Sequence, residues 1–77
     1  MLGFIEAMEY EDREVFWQVM LEVLPKLTAM QRQCLLMSIL GIDQSAIGRI
    51  LGVSQQAVAY NFNNSIDEIN CIANDYL

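Results

Sequence analysis

The sequence predicts an all-α domain of four or five short helices, the last of them long. Apolar residues recur at spacings of three and four along most of the chain, which is the period of an amphipathic helix. One Pro and four Gly leave few places where helices can break. No stretch alternates apolar and polar residues between turn pairs, as half-buried strands would. A chain of 77 residues is long enough for one small domain.

The composition favours a folded chain that has more apolar residues than a domain of this size can bury. Hydrophobic residues make up 55% of the chain and charged residues 18%, against about 45–50% and about 25% in average globular domains. A domain this small cannot easily hide so much apolar surface, so we expect a partner or a second copy. No apolar run approaches the roughly 18 residues of a membrane span. Residues 1–5 lack the basic residue of a secretory signal, so we expect a cytoplasmic protein.

Several kinds of chemistry are excluded by residue type. The chain has no His, so a His-built zinc site and Ser-His-Asp or Cys-His catalysis are impossible. Cys34 and Cys71 are too few and too far apart for a disulfide framework or a Cys-only metal site, and we expect both as small buried residues. No glycine-rich phosphate loop and no carboxylate pair in an apolar pocket is visible. We therefore expect neither an enzyme nor a cofactor.

Charge divides the chain into three regions, although the total is −6. Residues 1–25 carry six acidic residues against one basic residue and form an acidic, amphipathic N-terminal helix region. Residues 26–66 carry three basic residues against one acidic residue and contain the motif described below. Residues 67–77 carry only acidic charges and extend the last helix. A nucleic acid would have to meet the middle region.

The first strong helix is predicted over residues 11–24. Its apolar stripe consists of Val15, Phe16, Val19, Met20, Val23 and Leu24. Pro25 ends the helix, because the residue before a Pro avoids the helical region. Trp17 and Leu21 lie off this stripe and are candidate partner contacts. The alternative is that the apolar residues within 2–8 form a short extra helix that covers them.

The second helix is predicted from its caps. Thr28 and Gln31 match a capping box, in which each side chain accepts a hydrogen bond from a backbone N–H at the start of the helix. The helix runs to about residue 40, where Gly41 supplies a left-handed stop. The residues expected on its core side are Leu35, Leu36, Ile39 and Leu40.

The third helix is short and begins at Asp43, a good N-cap. It extends through residue 51, and Gly52 ends it. The residues expected to point inward are Ile47, Ile50 and Leu51. Gly48 costs about 1 kcal/mol of helix propensity relative to Ala, which a close approach of another helix would explain.

Ser54 caps the fourth helix, which follows after only Gly52 and Val53. Its apolar positions are Val58, Phe62, Ile66, Ile69, Ala73 and Tyr76. The later part of this stripe is similar to two turns of a heptad seam. Two interpretations stay open: the seam forms a dimer or partner contact through Ile69, Ala73 and Tyr76, or it packs on the domain's own core.

Residues 43–69 have the spacing of a helix-turn-helix, whose second helix can enter a major groove. The motif requires a small residue at the helix crossing, a turn glycine, a buried apolar turn residue, an N-cap and a core residue four positions later. The sequence supplies these five in register as Gly48, Gly52, Val53, Ser54 and Val58.

The positions that match a known pattern are Leu27-Thr28, Gln31-Arg32, Leu35, Gly41, Ile47, Leu51-Gly52-Val53-Ser54 and Val58. Through them the chain resembles region 4 of bacterial sigma-70-type factors, the domain that reads the −35 promoter element. Leu24-Pro25 is similar to the pair that precedes this domain in extracytoplasmic-function sigma factors. The resemblance covers residues 24–69. The LuxR-type domain shares most of the spacing, but Leu24-Pro25 and Gln31-Arg32 favour the sigma type.

The resemblance implies DNA contact on the outer face of the last helix. The positions concerned are Gln55, Gln56, Ala59, Tyr60, Asn63 and Asn64. Gln and Asn can bond adenine bidentately in the major groove. Ser54 is placed where a helix N-terminus accepts a phosphate, and Arg32 and Arg49 are the expected backbone contacts.

The chain departs from the family at charged positions. No Lys or Arg occurs from residue 54 to residue 77, and Asp67 and Glu68 stand where basic residues are common. Ala46 replaces an acidic residue that is usual before Ile47. Because phosphate neutralisation supplies most non-specific affinity, one copy is expected to bind DNA weakly.

Two functions therefore stay open. The first is a small transcription regulator that binds promoter DNA as a dimer or together with RNA polymerase, whose contact would replace the missing positive charge. The second is an interaction protein that mimics sigma region 4 and binds polymerase, a sigma factor or an anti-sigma factor without touching DNA. In the second case Trp17 and Leu21 are the expected contacts.

Overall fold

A computed structural model describes residues 10–76 of the chain, and this part is all-helical. The helices are α1 (Tyr10–Val23), α2 (Ala29–Ile39), α3 (Gln44–Leu51) and α4 (Gln55–Ala73), with a 3-10 turn at Leu24–Lys26. The predicted all-α class with a long last helix is confirmed. The extra helix predicted within residues 2–8 lies outside the described residues.

The link between α1 and α2 is built around Pro25. Its ring fixes φ near the helical value and removes a donor, so the chain tightens into the 3-10 turn instead of continuing α1. The backbone N–H of Leu27 donates to the Leu24 carbonyl at 3.2 Å. The guanidinium of Arg32 donates to the same carbonyl at 3.0 Å. This carbonyl, left free at the end of α1, is therefore used twice to hold α2 in place.

The predicted capping box of α2 is confirmed. The backbone N–H of Gln31 donates to Thr28 Oγ1 at 3.2 Å, and the backbone N–H of Thr28 donates to Gln31 Oε1 at 3.0 Å. At the other end Gly41 has φ +90°, and the Ile42 N–H donates to the Met37 carbonyl at 3.1 Å. This left-handed stop sends the chain directly toward α3.

The larger core, here called the main cluster, joins α1, α2 and the C-terminal half of α4. Its buried members are Val19, Met20, Val23, Leu27, Leu35 and Ile72. Phe62, Ile66, Ile69 and Ala73 pack against it while partly buried. The seam of α4 therefore packs on the domain's own core, which is the second of the two interpretations left open above.

A smaller core, here called the turn cluster, joins α2, α3 and the N-terminal half of α4. Its buried members are Cys34, Ile47 and Val58. Leu51 and Val53 pack against it. Because Cys34 and Leu35 are adjacent on α2, this helix belongs to both clusters and forms the wall between them.

Three leucine and isoleucine positions predicted to face the core are exposed instead. Leu36, Leu40 and Ile50 expose 41%, 61% and 60% of their surface. The buried side of α2 is centred on Cys34 and Leu35, so the pair at positions 36 and 40 falls on the opposite side. The α3 residues that point inward follow the spacing 47, 48 and 51, which leaves position 50 outside.

Two small residues of α4, Cys71 and Ser65, differ from what the sequence led us to expect. Cys34 is buried as predicted, but Cys71 is exposed, because the inward stripe of α4 runs through Ser65 and Ile72. Ser65 is fully buried and its hydroxyl lies within hydrogen-bond distance of the carbonyl of Asn61, at 2.9 Å, and of Gln31, at 3.1 Å. This polar link between α4 and α2 was not predicted.

Candidate nucleic-acid interface

The turn between α3 and α4 is defined by hydrogen bonds at both helix ends. Asp43 Oδ1 accepts from the Ala46 N–H at 2.8 Å, and Ser54 Oγ accepts from the Ala57 N–H at 3.0 Å. Gly52 ends α3 with φ +72°, and the Val53 N–H donates to the Gly48 carbonyl at 2.9 Å. The predicted caps and the predicted turn glycine are confirmed.

Gly48 is needed because the backbone of the turn passes directly over it. A Cβ at this position would lie 2.8 Å from the Val53 carbonyl oxygen and 3.5 Å from the Gln55 nitrogen. The predicted close approach is therefore real, but the neighbour is the turn and the first residue of α4 and not the body of another helix. A side chain at position 48 would push α4 away from α3.

The inner side of the motif is anchored in the turn cluster. Ile47 and Val58 are fully buried, and Val53 is partly buried against them. Two helices that share one small core and one constrained turn cannot easily change their crossing angle. The outer face of α4 is thus presented in a fixed orientation.

That outer face carries uncharged polar side chains along its first three turns. Gln55, Gln56, Tyr60 and Asn63 are exposed, Tyr60 by 68% of its surface, whereas Ala59 and Asn64 are partly buried. Positions 56, 60 and 63 follow the spacing of four and three that places residues on one side of a helix. The structure therefore brings most of the predicted base contacts together on one exposed face.

The same face continues beyond the predicted base contacts into two further residues, of which Asp67 was already noted as an acidic residue where the family has basic ones. Asp67 is exposed and lies four residues after Asn63, so its carboxylate continues the row. Asn70 is exposed and lies seven residues after Asn63, which itself lies seven after Gln56. The seven-residue repeat of amides was the sequence signal for Asn70. The acidic residue means that negative charge borders the candidate DNA face.

Few positive charges stand near this face. Arg49 is exposed on α3, and its guanidinium donates to Ser45 Oγ one turn earlier at 3.1 Å. Arg32 is partly buried and is committed to the Leu24 carbonyl. Ser54 is exposed at the start of α4, next to the first backbone amides of the helix. Arg49 and Ser54 thus remain better placed than Arg32 for a phosphate.

The residues predicted for a partner or dimer contact do not form one surface. Trp17 and Leu21 are exposed on α1, by 48% and 72%. Ile69 and Ala73 are partly buried against the main cluster. Tyr76, 38% exposed, donates its hydroxyl to the carboxylate of Glu22 on α1. The seam residues therefore tie α4 to α1, and only the α1 pair faces outward.

Two further kinds of site were sought in the part of the chain that the structure describes: clusters of metal-ligating side chains and membrane-spanning helices. No group of three or more Cys, Asp or Glu side chains between residues 10 and 76 could hold a metal ion. No helix in that range is long and apolar enough to cross a membrane.

The chain was compared with known families and proteins. No family model matches it, and no match was found among curated proteins or solved structures.

Proposed function

We propose that this protein is a small transcription regulator that contacts promoter DNA through the outer face of α4. The observation that carries the proposal is the rigid α3–turn–α4 unit, fixed by Gly48 and by the Asp43 and Ser54 caps, with an amide-rich face turned outward. A recognition helix needs both properties, because base-specific hydrogen bonds depend on a fixed helix orientation.

The side chains on this face suit A·T base pairs. Gln56 and Asn63 each have an amide that can donate to and accept from adenine, and each good pair discriminates by about 1–3 kcal/mol. They lie seven residues apart, about two helical turns, which spans roughly 10 Å along the groove. Tyr60 lies between them and is exposed enough to touch a base edge or a sugar.

The charges around this face predict weak binding by the protein alone. Each phosphate that is neutralised contributes a salt-dependent gain in affinity, and Arg49, which is exposed, is the one basic residue of α3, whereas α4 has none. Asp67 repels the phosphates from the same helix face. RNA polymerase would compensate by holding the domain beside the promoter, because tethering raises the effective concentration of a weak binder.

The decisive experiment measures DNA affinity in low salt. Duplexes are selected from a random library with the full chain, and binding is measured by fluorescence anisotropy for the wild type, Gln56→Ala and Asn63→Ala. Either substitution should weaken binding by about 5- to 100-fold, the loss of one bidentate contact. Gln33→Ala, which changes an exposed amide on α2, should leave the affinity unchanged.

A charge substitution provides an independent test of the same face. Asp67→Asn should raise the DNA affinity, because it removes a carboxylate that would lie near the phosphates. Asp75→Asn changes the total charge equally but lies beyond the end of α4, so its effect should be smaller. If both glutamine and asparagine variants bind like the wild type, α4 does not contact DNA and the proposal is wrong.

A second candidate function is a protein-interaction module that mimics sigma region 4 without touching DNA. The observations that favour it are the acidic residue on the α4 face and the exposed Trp17 and Leu21 on α1. A pull-down with RNA polymerase core and holoenzyme, with and without nuclease, is combined with the DNA-affinity measurement to separate the two. Capture that survives nuclease supports the interaction module when Gln56→Ala and Asn63→Ala bind DNA like the wild type. No capture, or capture that needs DNA, supports the DNA-binding regulator.

A further inference from the structure

Tyr60 is the one large side chain with an apolar body among the exposed polar positions on the outer face of α4. It exposes 68% of its surface. Its exposed neighbours on this face are Gln56, four residues before it, and Asn63, three residues after it. The inner side of α4 at this level is occupied by Val58 in the turn cluster and by Phe62 against the main cluster. The ring of Tyr60 is therefore turned away from both clusters.

An exposed aromatic ring gains free energy when another apolar group covers it, because burial removes apolar surface from water. In the major groove, the edges of the base pairs present hydrogen-bond donors and acceptors and one methyl group, the C5-methyl of thymine. An aromatic ring that is held between two amides on a recognition helix therefore has one methyl partner there.

We propose that the Tyr60 ring packs on the C5-methyl of a thymine, so that the α4 face recognises thymine as well as adenine. The inference rests on the proposed function and deepens it, because it adds an apolar contact to the hydrogen bonds assigned to Gln56 and Asn63. Each adenine that these amides bind is paired with a thymine, whose methyl lies in the same groove. The ligand is thus a duplex with neighbouring A·T pairs.

The spacing along α4 fits base pairs that follow one another. With a rise of about 1.5 Å per residue, Tyr60 lies about 6 Å from Gln56 and about 4.5 Å from Asn63 along the helix axis. Successive base pairs in B-DNA are about 3.4 Å apart. The three side chains therefore cover about four successive pairs, which makes the expected site a short run of A·T pairs.

A contact between a ring and a methyl group suits the charge of this face. No Lys or Arg occurs from residue 54 to residue 77, and the exposed Asp67 continues the row of Gln56 and Asn63. The ring and the methyl group are both uncharged, so their contact adds affinity without neutralising a phosphate and does not weaken with added salt. Uracil lacks the methyl group, so the same contact favours thymine over uracil.

Replacing thymine by uracil tests the contact directly. In the duplex selected with the full chain, each thymine in turn is replaced by deoxyuridine, which removes the methyl and keeps the base-pairing edge. Fluorescence anisotropy in low salt then measures the affinity of the wild type, Tyr60→Phe and Tyr60→Ser. At one thymine, the replacement should weaken binding of the wild type and of Tyr60→Phe about fourfold, the loss of one buried methyl group.

Tyr60→Ser is the matched variant, because it removes the ring that Tyr60→Phe keeps. It should bind the thymine duplex and the uracil duplex equally. Tyr60 is exposed, so the fold should tolerate both variants, and circular dichroism checks this.

Two results would overturn the thymine contact. Equal affinity of the wild type for all uracil duplexes would show that the ring meets no methyl group. A uracil effect that persists in Tyr60→Ser would assign the methyl to another side chain, such as Ala59. Gln56→Ala and Asn63→Ala distinguish this failure from that of the proposed function. If they weaken binding, the thymine contact alone is wrong, and if they do not, α4 does not contact DNA and both proposals are wrong.

Discussion

The turn cluster and the main cluster are built by different parts of the sequence. The turn cluster joins residues 34, 47 and 58 across two short connections, and each connection is fixed by a cap or a glycine. The main cluster joins Val19 near the start of the described chain to Ile72 near its end. No single local signal defines it, and apolar burial from three helices holds it together.

The difference shows where rigidity and tolerance lie. Around the turn cluster, a backbone contact at Gly48 leaves no room for a side chain. Around the main cluster, residues such as Ile66 and Ile69 are only partly buried, so we expect changes of side-chain volume to be better tolerated there. The candidate DNA face depends on the first cluster, and the orientation of α1 depends on the second. Because α2 lines both, we expect them to unfold together.

The largest predicted difference is between the two cysteines. Cys34 is fully buried in the turn cluster, and burial raises the pKa of its thiol, so little reactive thiolate forms. Cys71 is exposed on α4. A thiol reagent should therefore modify Cys71 at least about a thousandfold faster than Cys34, as expected when reaction requires an opening that costs about 5 kcal/mol.

The variant Cys71→Ser leaves Cys34 as the only thiol. The rate of its modification then measures how often the turn cluster opens. The rate at Cys34 gives the free energy of opening, which is compared with the free energy of unfolding from urea titration. Equal values show that both clusters open together. A smaller value for Cys34 would show that the turn cluster opens alone, against the expectation from α2. Similar reaction rates for the two thiols would contradict the burial of Cys34.

The next largest effect comes from removing buried volume in either cluster. Leu35→Ala in the main cluster and Ile47→Ala in the turn cluster should each lower the free energy of unfolding by about 2–5 kcal/mol. Their controls are on the same helices: Leu36→Ala and Ile50→Ala remove exposed side chains and should change it by about 0.5 kcal/mol or less. Urea unfolding followed by circular dichroism measures all four.

These pairs also test the assigned helix faces. If Leu36→Ala destabilises the protein as strongly as Leu35→Ala, the face of α2 is rotated relative to the structure. If Ile47→Ala has only a small effect, the turn cluster contributes little to stability, and the two clusters differ in strength as well as in construction.

A smaller effect is expected at Gly48. Ala is the better helix former by about 1 kcal/mol, but its methyl group would meet the Val53 carbonyl, and such overpacking costs about 1–3 kcal/mol. Gly48→Ala should therefore give a net loss of up to about 2 kcal/mol. Faster amide exchange at Val53, whose N–H donates to the Gly48 carbonyl, should accompany it. Ser45→Ala on the same helix serves as the control, and greater stability of Gly48→Ala would show that the turn can move aside.

The sequence predicted the elements around the turn better than the faces of the helices. Caps and glycine stops act over three or four residues, so Thr28, Ser54 and Gly52 could be read without knowing the fold. Which side of a helix is buried depends on what packs against it. Leu36 continues the apolar spacing of α2 and yet lies outside, because the two clusters meet α2 on the other side.

The same distinction holds for the candidate site: features set within one short segment could be predicted, and contacts between distant helices could not. The turn chemistry and the exposed amides of α4 were predictable, because both follow from spacing within one short segment. The use of Arg32 to hold the Leu24 carbonyl was not, since it depends on where α1 ends relative to α2. The DNA contacts themselves stay a prediction, carried by the resemblance and by the exposure of Gln56 and Asn63.

The smallest predicted effect concerns the contact between Tyr76 and Glu22, which joins the end of α4 to α1. The hydrogen bond to the Glu22 carboxylate, together with the negative charges of Glu22 and Asp75, raises the pKa of the Tyr76 phenol. The folded protein thus retains this proton to higher pH than the unfolded chain. The stabilisation is complete below the unfolded pKa of about 10 and is lost as the pH rises through the folded pKa.

Replacing the Glu22 carboxylate tests the hydrogen bond between Glu22 on α1 and Tyr76, which follows α4. Glu22→Gln should lower the pKa of Tyr76 toward its ordinary value, followed by NMR titration of the ring, whereas Glu14→Gln makes the same charge change elsewhere on α1 and should shift it less. Because Tyr76 is exposed and solvent screens the interaction, the change in unfolding free energy should be small. An unchanged pKa in Glu22→Gln would show that the hydrogen bond does not form in solution. Burial of Ile72, Ile69 and Ala73 alone would then fix α4 against α1.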